Sequence, residues 1–114
     1  PDNMLTRVEE GRVVSMLHIV EMQTSLGRTG YLYAIATDAD YRGRGYSSQL
    51  IEEAFRLMRQ RRYDVAMLIP ATNQLKEFYS KFGFEDRSYQ MDFSGGVYLG
   101  TGEVTADLAM VKTL

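Results

Sequence analysis

Polar and apolar positions follow a strand-like pattern early in the chain and switch to a helical period midway along it. Met4 to Glu10 reads as a short strand turning at Glu10-Gly11, and Arg12–Gln23 as a longer one rich in β-branched and large apolar residues. Gly27 and Gly30 are expected to bracket the next turn. Tyr31–Thr37 (YLYAIAT) follows as a strand apolar on both faces, the pattern of a strand inside a sheet. These three predict an antiparallel meander. From Ser47 to Arg62, Leu50, Ile51, Ala54, Phe55, Leu57 and Met58 form one helical stripe against Gln49, Glu52, Glu53, Arg56, Arg59 and Gln60. Ser47 is the expected N-cap, Glu52 and Glu53 sit early, and arginines crowd the last turn. Val65–Ile69 is wholly apolar, so strand–helix–strand here predicts a parallel crossover that Pro70 ends. Thr72–Lys81 reads as a second helix with Leu75, Phe78, Tyr79 and Phe82 on one side, stopped by Gly83. Strands near Arg87–Phe93 and Asp107–Thr113 flank the Gly-rich stretch Ser94–Gly102, which reads as a hairpin connection. The order β-β-β-α-β-α-β-β predicts an α/β domain with a mixed α+β sheet.

Composition narrows the chemistry. At 114 residues the expectation is one domain spanning 1–114, and 45% hydrophobic with 25% charged residues excludes a disordered or fibrous chain. The lack of cysteine excludes disulfides, thiolate metal ligands and a thiol nucleophile. His18 is the only histidine, so no metal site is expected. Thirteen basic against fifteen acidic residues (net −2) argue against nucleic-acid or membrane-surface binding. No apolar run approaches the ~20 residues of a membrane span, and no signal segment is legible, so a cytoplasmic placement is expected. Because the chain begins at Pro1, the expectation is a processed product or a piece of something longer.

The sharpest feature is Asp40-Tyr41-Arg42-Gly43-Arg44-Gly45-Tyr46-Ser47, between a buried strand and a long helix. Glycines there let backbone approach a ligand, first-turn amides point out unpaired, and the helix dipole favours an anion. Arg42 or Arg44 can add charge-assisted bonds to phosphate oxygens. The competing explanation is a tight turn with solvated arginines. A Walker-A loop is excluded, because no Lys-Ser/Thr follows at the required spacing. A dinucleotide fingerprint fits poorly, since Ser48 stands where its third glycine belongs. Elsewhere the ordinary explanations are preferred. His18 reads as a structural histidine, Asp38 and Asp40 as turn formers or caps, and Glu21 as weaker still. Tyr31 and Tyr33 share one face, either as core or as the wall of a second binding site.

At these residues the sequence resembles the GNAT acetyltransferases. Arg42-Gly43-Arg44-Gly45-Tyr46-Ser47 matches their Arg/Gln-x-x-Gly-x-Gly/Ala loop, except that Ser47 replaces the last small residue. Phe78-Tyr79-Ser80-Lys81-Phe82-Gly83-Phe84 is similar to their Tyr-x-Lys-x-Gly-Phe. The resemblance implies a GNAT-like acyl-CoA acyltransferase fold and N-acetyl transfer from acetyl-coenzyme A to an amine of a small molecule or protein. It implies that Arg42, Gly43, Arg44, Gly45, Tyr46, Ser47 and Ser48 hold the pyrophosphate. It further implies that Ile35, Ala36 and Thr37 hold the pantetheine arm, and that Tyr79 is the general acid. An Asn common seven residues before the tyrosine is replaced by Thr72, with Asn73 one step off, so no such contact carries over. Arg56, Arg59, Arg61 and Arg62 are better explained by the helix C-terminus than by a phosphate of coenzyme A.

YLYAIATDADYRGRGY also resembles the N-terminal domain of acetyltransferases of the enhanced-intracellular-survival type, whose C-terminal carboxylate base does not transfer to Leu114. Complete family members place a strand and two helices ahead of the meander, and the resemblance does not include them. The expectations are therefore an open edge, a homodimer through Met4–Gln23, and donor binding with poor transfer. The alternatives are a non-catalytic acyl-CoA-binding module and a nucleotide-binding interaction domain.

Overall fold

A computed structural model describes residues 3–91, 97–99 and 108–114. Strands β1 (Met4–Glu9), β2 (Arg12–Thr24) and β3 (Gly27–Thr37) form the antiparallel meander. Glu10 and Gly11 both have positive φ, as a two-residue hairpin turn requires. Helix α1 (Tyr46–Gln60) leads to β4 (Val65–Leu68), which pairs parallel with β3. Helix α2 (Asn73–Ser80) leads to β5 (Glu85–Met91), followed by β6 (Val97–Leu99) and β7 (Leu108–Thr113). The sheet runs β1-β2-β3-β4-β7-β5-β6, the mixed α+β arrangement expected. It has seven strands rather than six, because β6 lies inside the expected connection Ser94–Gly102. β6 pairs antiparallel with β5 and meets β2 at Thr24. The rest of that connection, with Phe93 and Asp107, lies outside the described residues.

Alternate residues of the sheet make one core with both helices. Leu17, Ile19, Leu32, Ala66, Leu68 and Met110 pack against Leu50, Ile51, Ala54, Phe55 and Met58 of α1 and Tyr79 of α2. A smaller cluster of Val65, Met67, Ala109 and Val111, with Tyr31 against it, occupies the other face.

Two expectations fail for identifiable reasons. Gly30 is not in a turn: it is buried within β3, paired with Glu21 and Ala66. A Cβ there would run into the Met58 sulfur and the Tyr63 ring. Its small size therefore serves helix–sheet packing, not a bend. Ser47 is not the N-cap either. Gly45 caps α1 at φ 80°, and Gln49 donates the first helical bond to its carbonyl at 3.0 Å. Ser47 is instead drawn away by Thr37, whose hydroxyl lies 2.6 Å from its own.

β3 and β4 stay together only briefly. They pair at Thr29–Val65, Gly30–Ala66 and Tyr31–Met67, and beyond Tyr31 that edge of β3 has no strand partner among the described residues. Just past the parting, β3 carries a bulge. His18 pairs with Tyr33 and Met16 with Ala36, so Leu17 alone opposes Ala34 and Ile35. Ala34 has φ 53°, an unusual conformation for a residue with a Cβ.

Gly30→Ala tests the packing account. Overpacking at this contact should cost about 1–3 kcal/mol and lower the thermal midpoint, read by circular dichroism. An unchanged midpoint would show that α1 does not press on β3 at Gly30.

Candidate functional site

Where β3 leaves β4, a cleft of about 720 Å³ opens between the end of β3, the start of α1 and α2. Ile35, Ala36 and Thr37 contribute the free edge of β3. Arg42, Gly43, Gly45, Tyr46, Ser47 and Ser48 form the rim and the first turn of the helix, and Tyr79 closes the side of α2. Ten of the eleven residues singled out in the sequence thus line one cleft, the eleventh being Arg44. Its guanidinium lies 4.7 Å from the centre of the Tyr41 ring, outside the lining.

The loop is built for close approach to the helix start. Gly43 and Gly45 have φ near 80°, and nothing lies within 4 Å of a Cβ added at either. The first turn of α1 carries no acidic residue, since Glu52 and Glu53 fall beyond it. Its amides therefore face the cleft without a carboxylate of their own helix beside them, which suits an incoming anion. Arg42 reaches back into the cleft, its Nε donating to the Thr37 carbonyl at 3.2 Å.

A chain of hydroxyls fixes the strand end to the helix. Ser15, buried in β2, lies 2.8 Å from Thr37 Oγ1, which in turn lies 2.6 Å from Ser47 Oγ. A second tie comes from β1, where the Tyr46 hydroxyl donates to Glu9 Oε1 at 2.8 Å. Arg7 packs over the Tyr46 ring and bonds the same Glu9 oxygen at 3.4 Å. The Tyr46 hydrogen bond, aided by Arg7, holds the Glu9 carboxyl below its usual value.

On α2, Thr72 caps the helix by accepting from the Leu75 amide at 3.2 Å, so the residue in the Asn position has a structural task. Tyr79 is only 7% exposed, packed against Phe78 and Phe84. Burial raises its phenol above the usual value, so it holds its proton at neutral pH. No side chain or backbone group among the described residues bonds its hydroxyl. Leu75, read on one side of α2 with Phe78, Tyr79 and Phe82, is 37% exposed and lines the cleft with Phe78 and Tyr41. Phe78 was legible in the Phe78–Phe84 motif and Tyr41 in the Asp40–Ser47 stretch, whereas Leu75 was read only as part of the apolar side of α2.

The remaining candidates take ordinary roles. Asp38 caps the short 3-10 turn Ala39–Tyr41 and pairs with Arg12 at 2.5 Å. Glu21 pairs with Arg28 at 2.6 Å, which keeps its carboxyl below the usual value. Tyr31 and Tyr33 stack at 6.0 Å, and half-buried His18 lies 5.2 Å from Tyr33. Arg59 covers Phe55 and Arg56 pairs with Glu53 near the far end of α1.

The Glu9–Tyr46 tie has a pH signature. A depressed carboxyl contributes stability above the ordinary value of 4.5 and loses it as pH falls through the lowered one. Tyr46→Phe should move the Glu9 titration midpoint upward, read from its side-chain NMR signals. A midpoint that stays put would place the cause elsewhere.

The family model described as an acetyltransferase (GNAT) domain matches residues 1–86, which span both the meander and the cleft. No curated protein matches the chain. Among solved structures, a GNAT-family acetyltransferase from Staphylococcus aureus Mu50 superposes with TM-score 0.74 at 13% identity, over 97% of this chain and 66% of that one. The Bacillus subtilis N-acetyltransferase YlbP in complex with coenzyme A gives TM-score 0.68 at 13% identity, over 98% and 68%. A GCN5-related N-acetyltransferase from Kribbella flavida gives 0.64 at 22% identity, over 76% of this chain and only 23% of that one. The chain thus spans about two-thirds of some of these relatives and under a quarter of another. With its β3–loop–α1 unit inside the matched region, the chain belongs to the GNAT acetyltransferase domain family.

Proposed function

We propose that the cleft binds acetyl-coenzyme A and that the domain catalyses acetyl transfer to an amine. The observation that carries this reading is the free edge of β3 at Ile35–Thr37 running directly into the glycine loop and the acid-free first turn of α1. An extended, amide-bearing arm ending in a diphosphate matches that sequence of surfaces. The arm adds to β3 as a strand would, and the diphosphate meets the amides of residues 43–48 and the Arg42 side chain. The B. subtilis relative bound to coenzyme A supports the same assignment.

In this reading the donor lies with its thioester between β3 and α2. The acceptor nitrogen forms its bond to the acetyl carbon, the carbon–sulfur bond breaks, and the amine proton leaves to solvent. Tyr79 delivers its proton to the departing sulfur and is reprotonated from water. A buried phenol is a weaker acid than a thiol of pKa about 8.5, so the transfer needs close alignment. Holding donor and acceptor together supplies the rest. A cytoplasmic placement and a dimer through Met4–Gln23 belong to the same proposal. The outer edge of β1 has no strand partner among the described residues, which supports the dimer. No described helix is long and apolar enough to cross a membrane.

Coenzyme A should raise the melting temperature, because a ligand selective for the native state stabilises it by mass action. Gly45→Glu places bulk, strain and negative charge at the anion site and should abolish that shift. A full shift in a folded Gly45→Glu protein would remove the loop from donor binding. Tyr79→Phe should preserve the shift and lower turnover by about 10²–10⁴-fold. Turnover within a few-fold of the parent would leave Tyr79 with a packing role only.

A further inference from the structure

The donor cleft lies on the side of the sheet that α1 and α2 cover. A second substrate reaches a thioester held there across the parting of β3 and β4, from the other side of the sheet. Three rings stand on that side at the parting. Tyr31 makes the last β3–β4 pair, with Met67, and Tyr33 is the next residue on the same face. His18, the partner of Tyr33 in β2, lies 5.2 Å from its ring, and Tyr31 lies 6.0 Å from it. Had the pairing with β4 continued in register, Tyr33 would face Ile69, which stands exposed just past the end of that strand. Within the sheet these rings only pack on one another, yet Tyr33 remains 44% exposed.

Two features of this surface select what it takes. The planes of Tyr31 and Tyr33 are only 27° apart, and with His18 they form a row that one more ring can extend by stacking. A row of this kind does not converge on a single point, as a cage for an ammonium must. The surroundings also lack a carboxylate to hold a second cation. On this face β2 carries Met16, His18, Val20 and Met22, and Asp38 past the end of β3 is taken up by Arg12 and the Asp40 amide. Glu85 lies on the row through Val111 and Met67, three strand spacings or about 14 Å from Tyr31, too far for a short diamine to span. We infer that Tyr33, backed by Tyr31 and His18, forms the acceptor subsite and selects amines that carry a planar ring close to the nitrogen over short aliphatic diamines. The inference rests on the donor reading of the cleft given above.

The test is an NMR titration of 2-phenylethylamine, 2-cyclohexylethylamine and 1,4-diaminobutane into the protein saturated with coenzyme A, for the parent, Tyr33→Ala and Tyr33→Phe. The parent should bind 2-phenylethylamine about tenfold more tightly than the diamine, the scale of one stacking contact with the apolar area it covers. Its ring signals for His18, Tyr31 and Tyr33 should move, and 2-cyclohexylethylamine should bind more weakly than its planar counterpart. Tyr33→Phe should keep the preference, and Tyr33→Ala should lose it while holding coenzyme A as the parent does. Equal or tighter binding of the diamine, a cyclohexyl compound bound as well as the phenyl one, or a preference that survives Tyr33→Ala would overturn this inference and leave the donor cleft standing. So would a coenzyme A complex that binds none of the three amines. A parent that does not bind coenzyme A would overturn the donor reading and this inference with it.

Discussion

The donor site proposed for this domain depends on β3 keeping one neighbour and losing the other. β2 holds one edge of β3 as far as Thr37, whereas β4 leaves the opposite edge after Tyr31. A sheet strand with an unpaired edge is ordinarily a liability, since its amides and carbonyls invite pairing. Here that edge faces a cleft instead of bulk solvent, and its backbone groups, apart from the Thr37 carbonyl that Arg42 bonds, form the recognition surface proposed for the donor. The bulge at Ala34 sits just beyond the parting and redirects Ile35–Thr37, at the cost of an unfavourable φ for alanine.

Helix α1 completes the arrangement because its packing and its first turn are separately determined. Leu50, Ile51, Ala54, Phe55 and Met58 set the helix on the sheet, with Gly30 providing the room for Met58. The first turn is positioned by polar ties: the Ser15–Thr37–Ser47 hydroxyls from the sheet, and Glu9–Tyr46 from β1. Hydrophobic burial is non-directional and tolerates small slips, whereas these short bonds fix where the amides point. Tyr79 shows the same division on α2. It belongs to the core and also lines the cleft.

Much of this was legible in the sequence, and the failures have physical causes. The meander, the parallel crossover and both helices followed from hydrophobic period and from Gly and Pro punctuation. The loop and Tyr79 followed from motif resemblance. Gly30 resembled a turn residue because a glycine demanded by tertiary packing looks the same as one demanded by φ. Ser47 resembled an N-cap because local sequence does not reveal that Thr37, ten residues earlier in the chain, competes for its hydroxyl. The bulge at Ala34 left no trace, since alanine has no preference for positive φ. The Glu9–Tyr46 tie joins residues from separate elements and was likewise invisible.

The central claim is that the open edge of β3 and the first turn of α1 form one donor surface. The most direct test is a titration of coenzyme A followed through backbone amide signals by NMR. The account predicts that the largest shifts fall on residues 35–37 and 43–48, with a second response at Tyr79. Shifts concentrated instead on the face carrying His18, Tyr31 and Tyr33, with residues 43–48 unmoved, would contradict it.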